Sequence, residues 1–289
     1  MRHLIPISGK DSLACALIQT ARQPDLPYEF FFNDTGCELP ETYDWLDRVE
    51  IQTGWTLTRI GKSLEAIIQD EDMLPSSQIR FCTRRSKIEP MERYYGKSDV
   101  TVYYGLRADE NRVGARPSDG WTHIYPLMES GIDLNGVWLI LKNQGLLPPD
   151  FFWTSLYYRV KELLWFGAHY CDELPEWKFR QLFSGRTRAN CFFCFYQRQY
   201  EILWLAETHP DLLWRTSWLE RTTGKRRKNS YSFRDGYFFD EIVNRRKQIL
   251  DRRAKEVALE IQQWFTVNLW GETGDTEIAL TSCGLLCGK

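Results

Sequence analysis

Residues 3–22 read HLIPISGKDSLACALIQTAR, and the fold is decided by how this stretch is read. His3 to Ile7 has the apolar character of a short strand, and Asp11 to Arg22 places Leu13, Ala16, Leu17 and Ala21 at helical spacing. Between them Ser8-Gly9-Lys10-Asp11-Ser12 carries the chain from strand straight into helix. Backbone N–H groups of such a turn converge on one spot, the helix dipole adds partial positive charge there, and Gly9 allows an anion to come close. Lys10 adds a full charge. The pattern G-x-x-x-x-G-K-[ST] is absent, so this is not a Walker loop.

Outward from that turn, strand and helix signals alternate over the first 130 or so residues. Tyr28 to Asn33, YEFFFN, is an aromatic-rich strand between Pro27 and the Asp34-Thr35-Gly36 turn. Pro40 opens a helix that stops at Gly54, Trp55 to Ile60 supplies a third strand, and Ser63 caps a short helix. Val100 to Leu106 and Ile124 to Leu127 are expected as two further strands. Strands joined by helices imply right-handed crossovers, hence an α/β fold with a parallel sheet and helices on both faces. Ligands then bind at the carboxyl ends of the strands. Beyond residue 132 the pattern is mainly helical: Asp133 to Asn143, Trp153 to Phe166, Phe195 to Glu207, and a long stretch from Asp240 to Trp264.

The second strand ends in Asp34-Thr35-Gly36-Cys37-Glu38-Leu39-Pro40-Glu41-Thr42. An acidic residue just over 20 positions after an anion-binding turn is placed to accept hydrogen bonds from a ribose or adenine, although Asp34 and Thr35 are also good caps for the next helix. Composition narrows the rest. With 37 Lys+Arg against 39 Asp+Glu the net charge is -2, so nucleic acid binding needs a local basic face. Arg221 to Lys255 offers one, including the loop Gly224 to Asn229 and the flanking Trp204, Trp214, Trp218, Tyr231 and Tyr237. No apolar run approaches the roughly 18 residues of a membrane helix, and the opening segment is too short for a signal peptide. The expectation is a cytoplasmic protein with no membrane partner. There, eight cysteines are metal ligands, reactive thiols or packing groups rather than disulfides.

Four segments together resemble the phosphoadenosine phosphosulfate (PAPS) reductase family of the PP-loop adenine nucleotide alpha-hydrolases. They are Ser8 to Ser12, Asp34 to Thr42, Phe81-Cys82-Thr83 with Lys87-Ile88-Glu89-Pro90, and Gly105 to Glu110 with Arg112. The family's loop usually reads S-G-G-x-D-S, and this chain has one glycine fewer. The resemblance implies an adenine nucleotide held by Ser8, Gly9, Lys10, Asp11, Ser12, Asp34, Thr35 and Gly36. Arg107 and Arg112 would reach its phosphate or the acceptor anion, and the planar fork of arginine suits two oxygens at once. ATP with Mg2+ is the expected ligand, with Lys10 and Asp11 beside Arg107 and Arg112 as the catalytic set.

Cys191-Phe192-Phe193-Cys194 provides two thiols, and a four-sulfur site needs two more. Cys283 and Cys287 in the tail are expected to complete it, with Cys82 and Cys171 as competitors. Iron-sulfur is expected ahead of zinc. Cluster-bearing reductases pair a cysteine doublet near Cys82 with a later C-x-x-C; Phe81 stands here for half of that doublet.

Within the family, ATP pyrophosphatase chemistry that adenylates an acceptor for sulfur transfer resembles the DndC/SspD component of DNA backbone phosphorothioation. DNA, through the Arg221 to Lys255 region, and a cysteine desulfurase or other sulfur donor are the implied partners. The tail Cys283-Gly284-Leu285 equally resembles the catalytic C-G-L of assimilatory PAPS or adenylyl sulfate reductases. A non-catalytic ATP-binding module of a defence system is the third reading. Domains are expected at 1–220, carrying the nucleotide site and the C-x-x-C, and at 221–289, basic and helical with the cysteine tail.

Overall fold

The computed structural model describes residues 1–96, 99–110, 120–226, 229, 231–233 and 236–270. Arg112, Cys283 and Cys287 therefore lie outside the described residues. The elements run β1 (Arg2–Pro6), α1 (Lys10–Arg22), β2 (Tyr28–Asn33), α2 (Pro40–Thr53), β3 (Leu57–Ile60), α3 (Leu64–Glu71) and α4 (Phe81–Thr83). After a π-helical turn at Arg84–Ile88 come α5 (Glu89–Tyr95), β4 (Val100–Tyr103), β5 (Trp121–Ile124), α6 (Pro126–Glu129), α7 (Leu134–Asn143) and α8 (Thr154–Leu164). A 3-10 turn at Trp165–Cys171 leads to α9 (Glu176–Phe183), α10 (Gln199–Thr208), α11 (Pro210–Thr222), α12 (Phe239–Val243) and α13 (Arg246–Trp270).

The five strands form one sheet in the order β3-β2-β1-β4-β5, and every pairing is parallel. Strand periodicity of two explains how YEFFFN serves both faces. Phe30 and Phe32 join the core beneath α1, α2 and α7, whereas Phe31 points into the opposite core with Met91 and Tyr95 of α5. Each such buried aromatic contributes about 1.5–3 kcal/mol. Helices thus cover both faces, as the alternation of signals predicts.

Several expected boundaries shift for local reasons. The fifth strand is Trp121–Ile124 rather than Ile124 to Leu127, because Pro126 starts α6 at a position where its missing N–H costs nothing. The expected helix from Asp240 to Trp264 is two helices with a turn at residues 244–245. Residues 81–95, α9 and α11 are helical without having been anticipated from the periodicity.

The chain packs as two compact units, one of residues 1–151 with 185–245 and one of residues 152–184 with the described residues 246–270. These units follow packing, whereas the expected division at 220/221 follows charge. The first contains the sheet. The second is helical, with α8 against α13 and the Arg159 guanidinium bound to Asp251 at 2.7 Å. Among the described residues no helix is long and apolar enough to cross a membrane.

Candidate functional site

The chain leaves the sheet in opposite senses after β1 and after β4, which are neighbours, and in open α/β sheets this switch point forms the ligand crevice. Residues 7–9 follow β1 and residues 104–110 follow β4, so the two segments flank that crevice. The loop after β1 is closed by Ser12, whose Oγ accepts from Ser8 N at 2.9 Å and Gly9 N at 3.1 Å and donates to Gly9 O at 2.9 Å. The first helical bond runs from Leu13 N to Gly9 O, so the amides of Lys10, Asp11 and Ser12 stand ahead of the ladder at the positive end of α1.

The side chains of this crevice form one ionic network. Lys10 Nζ meets Asp11 Oδ2 at 2.9 Å, and Arg107 NH1 meets the other oxygen, Oδ1, at 3.0 Å. Arg107 also binds Asp109 at 2.9 Å and Glu110 at 3.2 Å, and is only 12% exposed. Burial opposes the Arg107 charge, but hydrogen bonding to Asp109 and the charges of Asp11 and Glu110 outweigh it and raise its pKa. A residue placed at 107 by the loop after β4 is thereby locked onto α1, nearly a hundred positions earlier in sequence. Gly105 makes this approach possible: a Cβ there would stand 2.5 Å from the Asp11 carbonyl oxygen. Gly61 does the same beside Asp34, with 1.8 Å to its carbonyl oxygen. Gly105 belongs to a segment quoted from the sequence, but neither its close approach to α1 nor the role of Gly61 is legible there, where nothing local marks a distant backbone.

After β2, Asp34 Oδ1 accepts from Gly36 N and from Tyr43 OH, both at 2.8 Å. Asp34 therefore caps its own loop, with Gly36 at φ 69° making the turn. Thr35 and Glu38 are buried, and the Thr35 hydroxyl lies 3.3 Å from Glu38 Oε1 and 3.3 Å from Cys191 Sγ. Thus the expected nucleotide loop touches the C-x-x-C directly.

Cys82, Cys191 and Cys194 line one cavity, together with Arg80, Lys87 and Tyr196. Cys171 is buried in the second unit. Burial, reinforced by Glu38, pushes the Cys191 thiol well above its ordinary pKa, and burial also raises Cys194. Burial opposes the Lys87 ammonium, yet Glu38 and the three thiols outweigh it and hold its pKa up. Lys87 is thus no solvated helix residue; with Arg80 it is a cation lining the thiol cavity. It sits on the π-helical turn, a local widening that recurs at functional positions.

No three His, Cys, Asp or Glu side chains among the described residues converge to hold a single metal ion. A zinc ion needs its sulfurs about 2.3 Å from one point, whereas a cluster spreads its thiolates around a larger body.

The basic region from Arg221 is partly self-compensated. Arg221 pairs with Asp240 at 2.6 Å, Lys247 with Asp251 at 3.4 Å and Arg253 with Glu256 at 3.2 Å. Arg226 donates to the last carbonyls of α3, Gln69 O and Asp70 O, while Gly224 N and Arg226 N bind the buried Asp72 carboxylate. Part of the expected basic face is therefore scaffold.

Residues 2–122 match the family model of the phosphoadenosine phosphosulfate reductase domain, a match that spans both sides of the crevice and ends before the C-x-x-C. An uncharacterized protein of Methanocaldococcus jannaschii is 26% identical over 192 residues, covering 64% of this chain; the chain spans about a third (34%) of that relative's length. A crystal structure of PAPS reductase from Candida auris, in a phosphate complex, is 22% identical, covers 52% of this chain and 74% of its own, and superposes with a TM-score of 0.41.

Proposed function

We propose, with the PAPS-reductase-like domain at residues 2–122 as the premise, that the protein is an ATP pyrophosphatase that adenylates an acceptor for sulfur transfer, the acceptor being a DNA backbone oxygen. The observation that carries the reading is the meeting of Lys10, Asp11 and Arg107 at the switch point, next to a loop hydrogen-bonded to the thiol cavity. A triphosphate lying along the first turn of α1 would compete with Asp11, Asp109 and Glu110 for Lys10 and Arg107. Arg107 offers a fork to two phosphate oxygens, and Lys10 a point charge for the departing pyrophosphate. Both stabilise charge that grows as the bond between the alpha and beta phosphates breaks, which is catalysis by positioning and electrostatics.

Two bound groups belong to this reading. Mg2+ would be held by Asp11 together with the phosphates and would neutralise pyrophosphate charge. An iron-sulfur cluster would be held by Cys82, Cys191 and Cys194, with a fourth sulfur from Cys283 or Cys287, and would supply sulfur or redox chemistry next to the activated acceptor. DNA would be met by the basic region after Arg221 and the sulfur brought by a cysteine desulfurase or similar donor.

The match to a PAPS reductase domain favours a second reading, release of sulfite from an adenylyl sulfate. One experiment separates them. The protein is purified without oxygen and incubated with Mg2+ and ATP, with and without DNA, and in parallel with an adenylyl sulfate and thioredoxin. AMP and pyrophosphate in the first arm support the pyrophosphatase. Sulfite in the second, with ATP untouched, moves the protein to the reductase reading; nucleotide retained without turnover in either arm favours a binding module.

A further inference from the structure

Gly185-Arg186-Thr187-Arg188-Ala189-Asn190 leads into the C-x-x-C as a short loop whose base is fixed on every side. Gly185 packs against the Trp204 indole so closely that a Cβ would stand 2.0 Å from it. The Arg186 side chain, 2% exposed, turns back to donate to Asn190 O at 2.8 Å and Cys191 O at 3.3 Å, which closes the loop. Thr187 N and Oγ1 both donate to Glu201 Oε1 at 2.9 Å, and the other oxygen of the buried Glu201 holds Arg198 N at 2.7 Å. On the far side Phe192 N donates to Cys37 O at 2.8 Å, so the loop is tied both to α10 and to the turn after β2.

This frame presents an exposed tip made of Thr187, Arg188 and Ala189. Ala189 stands over the loop after β1: a Cβ built on Gly9 would lie 3.8 Å from the Ala189 Cβ, an ordinary contact distance. Arg188 is its chain neighbour, one Cα step of about 3.8 Å away, so its long side chain starts within reach of a group bound at the amides of Lys10, Asp11 and Ser12. Among the described residues the Arg188 side chain makes no ion pair and no hydrogen bond. Lys10 and Arg107, by contrast, are committed, the first to Asp11 and the second to Asp11, Asp109 and Glu110. A polyanion entering the crevice has to displace carboxylates to win either of those cations, whereas Arg188 offers its fork without such an exchange. The fixed backbone beneath it also lowers the ordering that binding requires.

We propose that Arg188 is a nucleotide-binding residue that contacts the phosphates beyond the first, and so makes the crevice select nucleoside polyphosphates over monophosphates. The inference rests on the nucleotide reading above and deepens it. One phosphate is served by the amides ahead of the α1 ladder; the phosphates that extend from it meet the tip that overhangs Gly9, and there the uncommitted charge is Arg188.

The test uses the full chain. Calorimetry in Mg2+ gives Kd for ATP, ADP and AMP with the wild type, Arg188→Ala and Arg188→Lys, and urea midpoints are measured alongside. The midpoints should agree, because among the described residues the side chain bonds to nothing whose loss would be felt. Arg188→Ala should weaken ATP about tenfold or more, the scale of one charge-assisted contact, and leave AMP within about 2-fold. ADP should fall between the two. Arg188→Lys should recover part of the loss, since it keeps the charge without the fork. The ATP difference between wild type and Arg188→Ala should also narrow as salt is raised from about 0.05 M to about 0.5 M. Unchanged ATP affinity in Arg188→Ala overturns the proposal, as does a loss equal for ATP and AMP, or a loss of DNA binding with ATP binding intact. A wild type that binds neither ATP nor AMP overturns the nucleotide reading itself, and the assignment of Arg188 falls with it.

Discussion

Arg107 is the residue on which the crevice turns, because it carries three carboxylates, Asp11, Asp109 and Glu110. Arg107→Ala leaves those three charges facing one another. We expect a loss of about 1–3 kcal/mol, read from the urea midpoint, together with at least a tenfold loss of ATP affinity. Arg107→Lys keeps charge but not the fork, so stability should recover more than affinity; equal recovery of both would argue against bidentate phosphate recognition. Sequence named Lys10 from the turn it sits in, Arg107 from the family resemblance, and Asp11 as a residue able to help hold Mg2+. It could not show that Asp34 spends an oxygen on its own loop, which weakens a role for it at the ribose.

A second residue-scale prediction concerns Glu220, buried on α11 with its two oxygens accepting from Phe233 N and Phe239 N, each at 2.9 Å. Burial raises its pKa from 4.5 to about 7, against the pull of those two amides. A raised carboxyl pKa means the folded state holds its proton longer than the unfolded chain. Its contribution is therefore complete below pH 4.5 and is lost as pH climbs to about 7, by an amount on the order of 3 kcal/mol. Melting curves of wild type and Glu220→Gln should accordingly show the wild type gaining on the variant as pH is lowered from 8 to 5. A gap independent of pH would remove the proposed shift.

At the scale of elements, helix 81–95 shows why some structure was hidden from sequence. Pro90 inside a charged stretch argues for a break, because it has no N–H for the carbonyl four residues back. The chain answers with a π-helical turn in which Glu89 N reaches Arg84 O, and the Ser86 carbonyl that Pro90 leaves free accepts from Lys62 N at 3.2 Å. The tertiary partner makes the helix continuous enough to carry both Cys82 and Lys87. Conversely, β2 was fully legible at Tyr28–Asn33, since a run of buried aromatics between proline and a turn has few other outcomes.

Glycine positions give the element-scale prediction. Gly105→Ala forces a Cβ against the backbone of Asp11 and Ser12, so either the loop after β4 or the start of α1 must move. Overpacking of this kind costs about 1–3 kcal/mol, and here it also misplaces Arg107, so ATP affinity should fall even where the variant remains folded. A folded Gly105→Ala with unchanged affinity would separate this contact from the site.

For the whole molecule, the two compact units make different commitments. The first holds the sheet, the crevice and the thiol cavity; the second is a helical assembly around α8 and α13. Hydrogen exchange with and without Mg-ATP should show added protection at residues 10–13, 34–38 and 105–107, and none at 154–164, because ligand stabilises what contacts it. Protection spread evenly over both would contradict a site confined to the first unit.

What the sequence determined by itself was whatever depends on near neighbours: the strand-turn-helix at residues 3–22, the alternation that makes a parallel sheet, and residue types fit for an anion and for sulfur ligation. Periodicity and turn chemistry act over a few residues, so one chain suffices to read them. The order β3-β2-β1-β4-β5, the contact of Arg107 with Asp11, the placing of Cys82 in one cavity with Cys191 and Cys194, and the triangle of Thr35, Glu38 and Cys191 were decided only by the tertiary structure. The side-chain contacts join segments roughly 100 or more residues apart, and the sheet order turns on the equally distant pairing of Arg2 with Val100; burial, which alone makes such contacts strong, exists only once the sheet has closed its two cores.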